Sequence, residues 1–240
     1  MRIALLSDIH GNSIALNAVL ADIQMHGDVD EYWILGDLVA LGPDPVGVLE
    51  KVTKLSNVHF TRGNTDRYVV TGEHPEPYIE DVKADITKLP RMLEVARSFN
   101  WTKGAVTATG WLEWLAALPL EKRIILPDGT RLLGVHATHG KDDGYGMMPD
   151  LNDAELWKLF EGCDADLVCV GHTHTPQDRT VNDVRIINLG SVSNQFAPKL
   201  CASYVLLEAD PTSYHLEHHS VEYDREAVIK ALLKIKHPAA

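Results

Sequence analysis

Seven side chains with metal-binding chemistry follow short apolar runs of this 240-residue sequence. Their oxygen and imidazole nitrogen atoms are donors that manganese, iron, zinc, cobalt and nickel ions accept. Most of the seven lie in turns that contain glycine, which lets the backbone approach closely. In chain order they are Asp8, His10, Asp37, Asn64, His136, His172 and His174.

Each piece of this pattern has an ordinary alternative when it is taken alone. Gly-Asp and Gly-Asn pairs are common turn signals, and a single histidine such as His136 often makes a hydrogen bond within a core. The strongest piece is Gly171-His172-Thr173-His174, because one face of an extended segment presents both imidazoles. Five such pieces, each after an apolar run, indicate a shared metal site.

The apolar runs predict the strands that position these residues. The first three runs alternate with helical patterns, which predicts right-handed crossovers and a largely parallel inner sheet. In α/β sheets, ligands bind beyond the carboxyl ends of the strands, where the polar residues occur here. The predicted strands cover residues 3–6, 32–35, 58–61, 123–126, 131–135, 167–170, 185–188, 203–207 and 214–221.

Between the third and fourth strands the pattern changes to a helical one, over residues 66–118, with expected breaks at Pro75, Pro77 and Pro90. Elsewhere, the polar pairs Asn12-Ser13 and Asn152-Asp153 are typical of helix starts. A closing helix is predicted from Asp224 to Lys236, and Pro127-Asp128-Gly129 predicts a hairpin turn.

The composition is acidic, with 34 Asp and Glu against 22 Lys and Arg and a net charge of −12. With no run of basic residues, this argues against a nucleic-acid polymer as partner. The three cysteines form no CxxC pair, which favours free thiols in a reducing cytoplasm. No apolar stretch approaches the ~20 residues of a membrane span. We therefore expect a cytoplasmic protein without a membrane partner.

The ordered motifs resemble those of the calcineurin-like metallophosphoesterase family, in particular its small prokaryotic phosphodiesterase branch. They extend over about residues 1–207, apart from the segment 67–118. The matching pieces are Asp8-Ile9-His10, Gly36-Asp37, Gly63-Asn64-Thr65-Asp66, His136, Gly171-His172-Thr173-His174 and Asn188-Leu189-Gly190-Ser191-Val192.

The resemblance implies an α/β fold, a four-layer αββα sandwich. We expect one domain over residues 1–240, and the helical pattern predicts a cap inserted within it at 67–118. The resemblance also implies two metal ions, manganese foremost, with iron, zinc, nickel or cobalt as alternatives. A hydroxide held between the ions would attack phosphorus in line. Asp37 would bridge the ions. The first ion would be bound by Asp8, His10, Asp37 and His174, and the second by Asp37, Asn64, His136 and His172.

One position departs from the family pattern. Many members have a histidine after the asparagine, which protonates the leaving group, whereas this chain has Thr65. His139 is a candidate replacement, with an exposed loop histidine as the alternative. Arg67 is a candidate phosphate contact, with a surface salt bridge as the alternative. The predicted catalytic residues are thus Asp37, Asn64, His139 and Arg67.

We expect hydrolysis of a small phosphodiester, with a small phosphate ester or nucleotide as substrate. Two other enzymatic hypotheses are a serine/threonine protein phosphatase and a diadenosine polyphosphate hydrolase. A catalytically silent binding scaffold is the alternative of another class. The remaining histidines are interpreted as structural or exposed, and they are His26, His59, His74, His215, His218, His219 and His237.

Overall fold

The computed structural model describes residues 1–196 and 200–238. Within these residues, ten strands form two sheets of five strands each. The strands are β1 (Arg2–Leu6), β2 (Glu31–Leu35), β3 (Val58–Thr61), β4 (Glu121–Ile125), β5 (Arg131–Val135), β6 (Leu167–Val170), β7 (Gln177–Val181), β8 (Val184–Asn188), β9 (Ala202–Ala209) and β10 (Tyr214–Val221).

The first sheet has the order β10-β9-β1-β2-β3. Its strands β1, β2 and β3 are parallel, as the alternating strand and helix pattern predicted, whereas β9 and β10 run antiparallel. Leu6 lies opposite Ile34, and Leu35 lies opposite Thr61. This register brings the carboxyl ends of the three parallel strands to one edge of the sheet.

The second sheet has the order β4-β5-β6-β8-β7. Strands β4 and β5 form the predicted hairpin, and β5, β6 and β8 are parallel. Strand β7 was not predicted. It is an edge strand with exposed Asp178 and Thr180, so it lacks the apolar run that marks the central strands.

The described residues also form eight α-helices and one 3₁₀ turn, Ile86–Lys88. Helix α1 begins at the predicted cap, where Asn12 Oδ1 accepts a hydrogen bond from the Ala15 N–H at 3.0 Å. The helices are α1 (Ser13–Met25), α2 (Pro45–Val52), α3 (Asn64–Thr71), α4 (Ile79–Ala84), α5 (Leu89–Ala108), α6 (Leu112–Ala116), α7 (Asp153–Phe160) and α8 (Arg225–Lys234).

Strand alternation builds three buried layers. Ile3 and Leu5 point from β1 into an apolar cluster that the two sheets share, whereas Ala4 and Leu6 point into a cluster under helices α1 and α2. A third cluster lies between the second sheet and α7. The layers are therefore helix, sheet, sheet and helix, which confirms the four-layer αββα sandwich.

The segment after β3 is helical, but its parts differ. Helix α5 buries Val95, Phe99 and Val106 in the cluster beneath the first sheet, so it belongs to the helical layer. Pro90 does not break a helix, because it lies in the first turn of α5, where its missing N–H is not needed. Only the shorter stretch 73–88 lies largely outside the apolar clusters.

Among residues 1–196 and 200–238, no helix has the length and apolar character required to cross a bilayer.

Candidate metal centre

All seven predicted metal-binding residues lie at the carboxyl-terminal edges of the two sheets. Asp8 and His10 follow β1, and Asp37 follows β2. Asn64 is the first residue of α3, directly after β3. The other three follow strands of the second sheet, and they are His136 after β5 and His172 and His174 after β6. The face-to-face packing of the sheets brings them together.

One group of atoms surrounds His174. Its Nε2 lies 3.1 Å from Asp8 Oδ1 and 3.2 Å from His10 Nε2. His10 Nε2 is in turn 3.8 Å from Asp8 Oδ1 and 3.6 Å from Asp37 Oδ2. All four residues are buried, and their ligand atoms lie within 4.8 Å of one another. This geometry suits one metal ion.

A second group surrounds Asn64 Oδ1, which lies 3.1 Å from His136 Nε2 and 2.9 Å from His172 Nδ1. His136 Nε2 is also 3.4 Å from Asp37 Oδ1. Asp37 thus directs Oδ2 towards the first group and Oδ1 towards the second. A carboxylate between two cations offsets their mutual repulsion.

The protonation of three imidazoles follows from their carbonyl partners. His136 Nδ1 donates to Leu35 O at 2.7 Å. His174 Nδ1 donates to Asn194 O at 2.8 Å, and His172 Nε2 donates to Gly144 O at 2.8 Å. Because a neutral imidazole has one N–H, the opposite nitrogen of each ring carries a lone pair in the neutral form, which is the form that binds a metal.

Those lone pairs face oxygen atoms that are also acceptors. His136 and His172 both direct a bare nitrogen at Asn64 Oδ1, and His174 directs one at Asp8 Oδ1. Asp8 Oδ1 is buried and receives no hydrogen bond from the described residues. Buried acceptors facing one another without a proton are costly, and a cation between them removes that cost.

The electrostatics of the two carboxylates differ. Burial, together with the charge of Asp8, raises the pKa of Asp37 to about 7. Burial also acts to raise the pKa of Asp8, but the adjacent His174 ring in its protonated form holds that pKa well below its usual range, and Asp8 in turn raises the pKa of His174 against the effect of burial. Burial, together with His174, lowers the pKa of His10 to about 3, so this imidazole is neutral and able to act as a ligand.

The backbone that carries these side chains is strained. Five of the seven residues have left-handed φ angles, a conformation that costs about 1–3 kcal/mol for residues other than glycine. The values are 57° at Asp8, 48° at His10, 55° at Asp37, 68° at His172 and 56° at His174. Such strain persists only where the surrounding structure enforces it.

Asp66 helps to hold the strained backbone at Asp37 in place, a role that the sequence did not indicate. Its fully buried carboxylate accepts hydrogen bonds from the backbone N–H groups of Asp37 and Leu38, each at 2.9 Å. It also accepts one from Gly63 N at 3.0 Å. At Gly63, a Cβ would lie 2.1 Å from Asp37 Oδ1, so only glycine allows this approach. Asp66 therefore ties the Asp37 turn to the start of α3.

The Asn188–Val192 segment supports the other side of the cluster. Ser191 Oγ donates to the Asp8 carbonyl at 2.9 Å and accepts from Asn194 N at 2.8 Å. Asn188 Nδ2 donates to Gly171 O at 2.8 Å. These bonds position Asp8 and also Asn194, whose carbonyl orients His174. The only signal in the sequence was the family resemblance of this segment.

Two predicted catalytic residues, Arg67 and His139, lie outside the two groups of candidate metal ligands. Arg67 pairs with Asp142 at 3.1 Å, with Asp143 at 2.8 Å and with Glu73. His139 is half-buried in a turn near Glu121. The hydrogen bond from Arg123 has the largest effect in lowering the pKa of Glu121, and His139 lowers that pKa less. Among the described residues, no hydrogen bond or ion pair connects His139 or Arg67 with the seven.

Comparison with known proteins identifies the family of this chain and relatives with the same fold. The model of the calcineurin-like phosphoesterase superfamily domain matches residues 1–212. A metallophosphoesterase from Sphaerobacter thermophilus has a similar structure, with a TM-score of 0.75 and 27% identity over 98% of this chain and 94% of that one. A hypothetical protein from Pyrococcus horikoshii OT3 shares the fold at a TM-score of 0.80 and 22% identity, over 99% of this chain and 94% of the other.

A shorter match concerns the symmetrical bis(5'-nucleosyl)-tetraphosphatase of Pectobacterium atrosepticum. It is 40% identical over 67 residues, which cover 28% of this chain and 24% of that enzyme. The match therefore spans only about a quarter of the tetraphosphatase. With the family model extending over most of the sequence and the buried Asp and His cluster at the strand ends, the chain belongs to the calcineurin-like phosphoesterase superfamily.

Proposed function

We propose that this protein hydrolyses small phosphodiesters with two metal ions bound by the seven residues of the candidate centre. The observation that carries the proposal is the convergence of bare imidazole nitrogens on buried acceptor oxygens, in two groups with Asp37 between them. The family supports phosphoester hydrolysis in general.

In this proposal, Asp8, His10 and His174 hold one ion, Asn64, His136 and His172 hold the other, and Asp37 contacts both. The ions supply positive charge that lowers the pKa of water and stabilises the phosphate oxygens. Asp37 is held in place for this role because the Thr65 N–H donates to its Oδ1 at 2.9 Å. The mixed nitrogen and oxygen donors suit manganese, iron, zinc, nickel or cobalt.

The shape of the surface beside the second group supports a small substrate. A cleft of about 400 Å³ is lined by Arg67, Tyr68, His74, Tyr78 and Asp143, among others. Arg67 and Tyr68 lie three and four residues after Asn64 on α3, about one helical turn away.

The cleft also offers groups that suit a nucleoside. The rings of His74 and Tyr78 are stacked, with centroids 5.9 Å apart. The guanidinium of Arg67 lies 4.7 Å from the centre of the Tyr68 ring. Aromatic faces of this kind can stack against a base. We therefore favour a nucleotide-type diester, and we propose that residues 73–88 are the part of the 67–118 cap that covers it.

Diadenosine polyphosphate hydrolysis is the second candidate, because of the partial likeness to a symmetrical tetraphosphatase. Its substrate also carries nucleosides, so the same cleft would serve it. A protein phosphatase has less support, since a protruding peptide has no need of a cleft lined by aromatic rings. A binding scaffold has no need of seven preserved ligands.

Two measurements test the proposal together. Purified protein is stripped with a chelator, reloaded with Mn²⁺, and assayed for bound metal and for hydrolysis of bis(p-nitrophenyl) phosphate. We expect two Mn²⁺ per chain at the centre and metal-dependent turnover. A panel of cyclic nucleotides, dinucleotides, diadenosine tetraphosphate and a phosphopeptide then ranks the substrate classes.

The outcomes separate the alternatives. Preferred cleavage of diadenosine tetraphosphate would favour the second candidate, and preferred cleavage of the phosphopeptide would favour a protein phosphatase. Two bound ions without turnover on any ester would support a scaffold. Failure to bind metal would refute both the centre and the activity.

A further inference from the structure

We propose that Asp22, His26 and His219 form an accessory transition-metal site, which binds Zn²⁺ between helix α1 and strand β10. One ligand atom from each residue lies within 4.8 Å of those of the other two. The two histidines are 193 positions apart and neither belongs to a motif, so the sequence does not indicate that they meet.

The fold brings the three residues together on one surface. Asp22 and His26 are four residues apart, so they lie on the same side of the last turn of α1. His219 belongs to β10, which packs beside α1. The imidazole rings of His26 and His219 are 4.6 Å apart at an interplanar angle of 70°. This edge-on arrangement allows nitrogens of both rings to face one ion.

The hydrogen bonds leave ligand atoms free. His26 Nδ1 lies 2.8 Å from the Asp22 carbonyl, to which it donates, and 3.6 Å from Asp22 Oδ2, so the lone pair of the neutral ring is on Nε2. His219 Nε2 is buried and has no hydrogen-bond partner among the described residues, and only 10% of its side chain is exposed. Tyr204 donates to Asp22 Oδ2 at 2.6 Å, which leaves Oδ1 available. A buried imidazole nitrogen without a hydrogen-bond partner, on a ring close to a carboxylate and a second imidazole, is typical of a metal ligand.

The surrounding charges also favour a cation. Glu217 lies two residues before His219 on the same strand face, and its Oε2 is 3.7 Å from His219 Nε2, so it can supply a fourth ligand. The positive charge of Arg2 also acts on His219, but Arg2 pairs with Glu208 at 2.9 Å and donates to the His26 carbonyl at 2.7 Å. With Asp22 and Glu217 both anionic, the site has net negative charge.

The accessory site is separate from the proposed catalytic centre. Helix α1 begins beside His10 and ends at the accessory cluster, and its 13 residues span about 20 Å at ~1.5 Å per residue. An ion there would connect α1 to the edge strand of the first sheet. We therefore assign it a stabilising role, through preferential binding to the folded chain.

The test counts zinc in full-length protein. Chelator-stripped protein is loaded with Zn²⁺, freed of excess metal by gel filtration and analysed by mass spectrometry, and crystals are measured at the zinc edge. We expect three zinc ions in wild type and two in each of His26→Ala and His219→Gln. The control His215→Ala, an exposed histidine on the same face of β10, should retain three.

The anomalous signal keeps this inference distinct from the proposed function. Asp37→Asn should lose zinc at the catalytic centre while the peak between Asp22, His26 and His219 remains. The His26 side chain is 42% exposed, so His26→Ala should leave folding intact even if His219→Gln does not. Absence of an anomalous peak at the three residues, or an unchanged zinc count in His26→Ala, would overturn the proposal.

Discussion

The two histidine and carboxylate clusters lie at opposite ends of helix α1, and they differ in how firmly the protein holds their ligands. In the central cluster, five residues have left-handed backbone angles and three imidazoles donate to backbone carbonyls. In the accessory cluster, His26 and its neighbour Asp22 belong to α1 or its cap, and His219 lies within β10.

This difference indicates different tasks. Left-handed strain of about 1–3 kcal/mol per residue is retained where a geometry must exist before the ligand arrives. The central candidate ligands are therefore preorganised, which suits the proposed site for two ions at a fixed separation. The accessory ligands belong to ordinary helix and strand and can adjust, which suits weaker binding and a structural role.

The largest effect should follow from removing the shared ligand. We expect Asp37→Asn to reduce central manganese to one ion or fewer and diester hydrolysis by more than ~10³-fold, because one electrostatic donor alone is worth ~10²–10³. The control is Asp183→Asn, since Asp183 has a similar φ of 64° but lies exposed in a turn. Near-normal turnover with two ions in Asp37→Asn would contradict the bridging role.

A smaller loss should follow from weakening the support beneath Asp37. Asp66→Asn leaves the three backbone N–H groups with a poorer acceptor, so we expect ~10–100-fold weaker metal binding. Asp81→Asn is the matched control, because Asp81 caps the start of α4 in the same way but lies away from the centre. Isothermal titration with Mn²⁺ measures both variants. Equal affinities in the two variants would mean that Asp66 acts only as a helix cap.

The support beneath Asp8 can be tested in the same way. Ser191→Ala removes the hydrogen bond to the Asp8 carbonyl and frees Asn194, so we expect ~1–3 kcal/mol lower stability from the unsatisfied groups. Metal affinity should fall at the His174 group more than at the Asn64 group. Chemical denaturation and anomalous occupancies measure these effects, with exposed Ser220→Ala as control. Equal occupancy losses in both groups would argue against a local effect.

The smallest effect is expected at His139. It lies near Glu121 and makes no hydrogen bond or ion pair with the described ligands, so His139→Ala should change nitrophenyl diester hydrolysis less than about twofold. Alkyl diesters are the sharper probe, because acid catalysis typically contributes ~10²–10⁴-fold and matters most for basic leaving groups. A selective loss on alkyl substrates, absent in His215→Ala, would identify His139 as the missing acid.

Much of this protein was determined by its sequence. The sequence predicted nine of the ten described strands, eight from runs rich in apolar residues and β10 from the turn at residues 211–213 that precedes it. Polar residues directly after those runs marked the candidate ligands, since parallel strands end at one edge of a sheet. Strand β7 was missed because an exposed edge strand alternates without a continuous apolar run.

Tertiary structure decided what those residues can do together. The packing of the two sheets places Asp37 between the two groups of histidines. Backbone carbonyls that are distant in sequence determine which nitrogen of each neutral imidazole carries the proton and which carries the lone pair. Asp66 and Ser191 act through hydrogen bonds to backbone groups. Every residue has such groups, so the residue types in the sequence do not reveal these contacts. The contact of His26 with His219 arises only when α1 packs on β10, because local sequence patterns do not encode the distance between elements far apart in the chain.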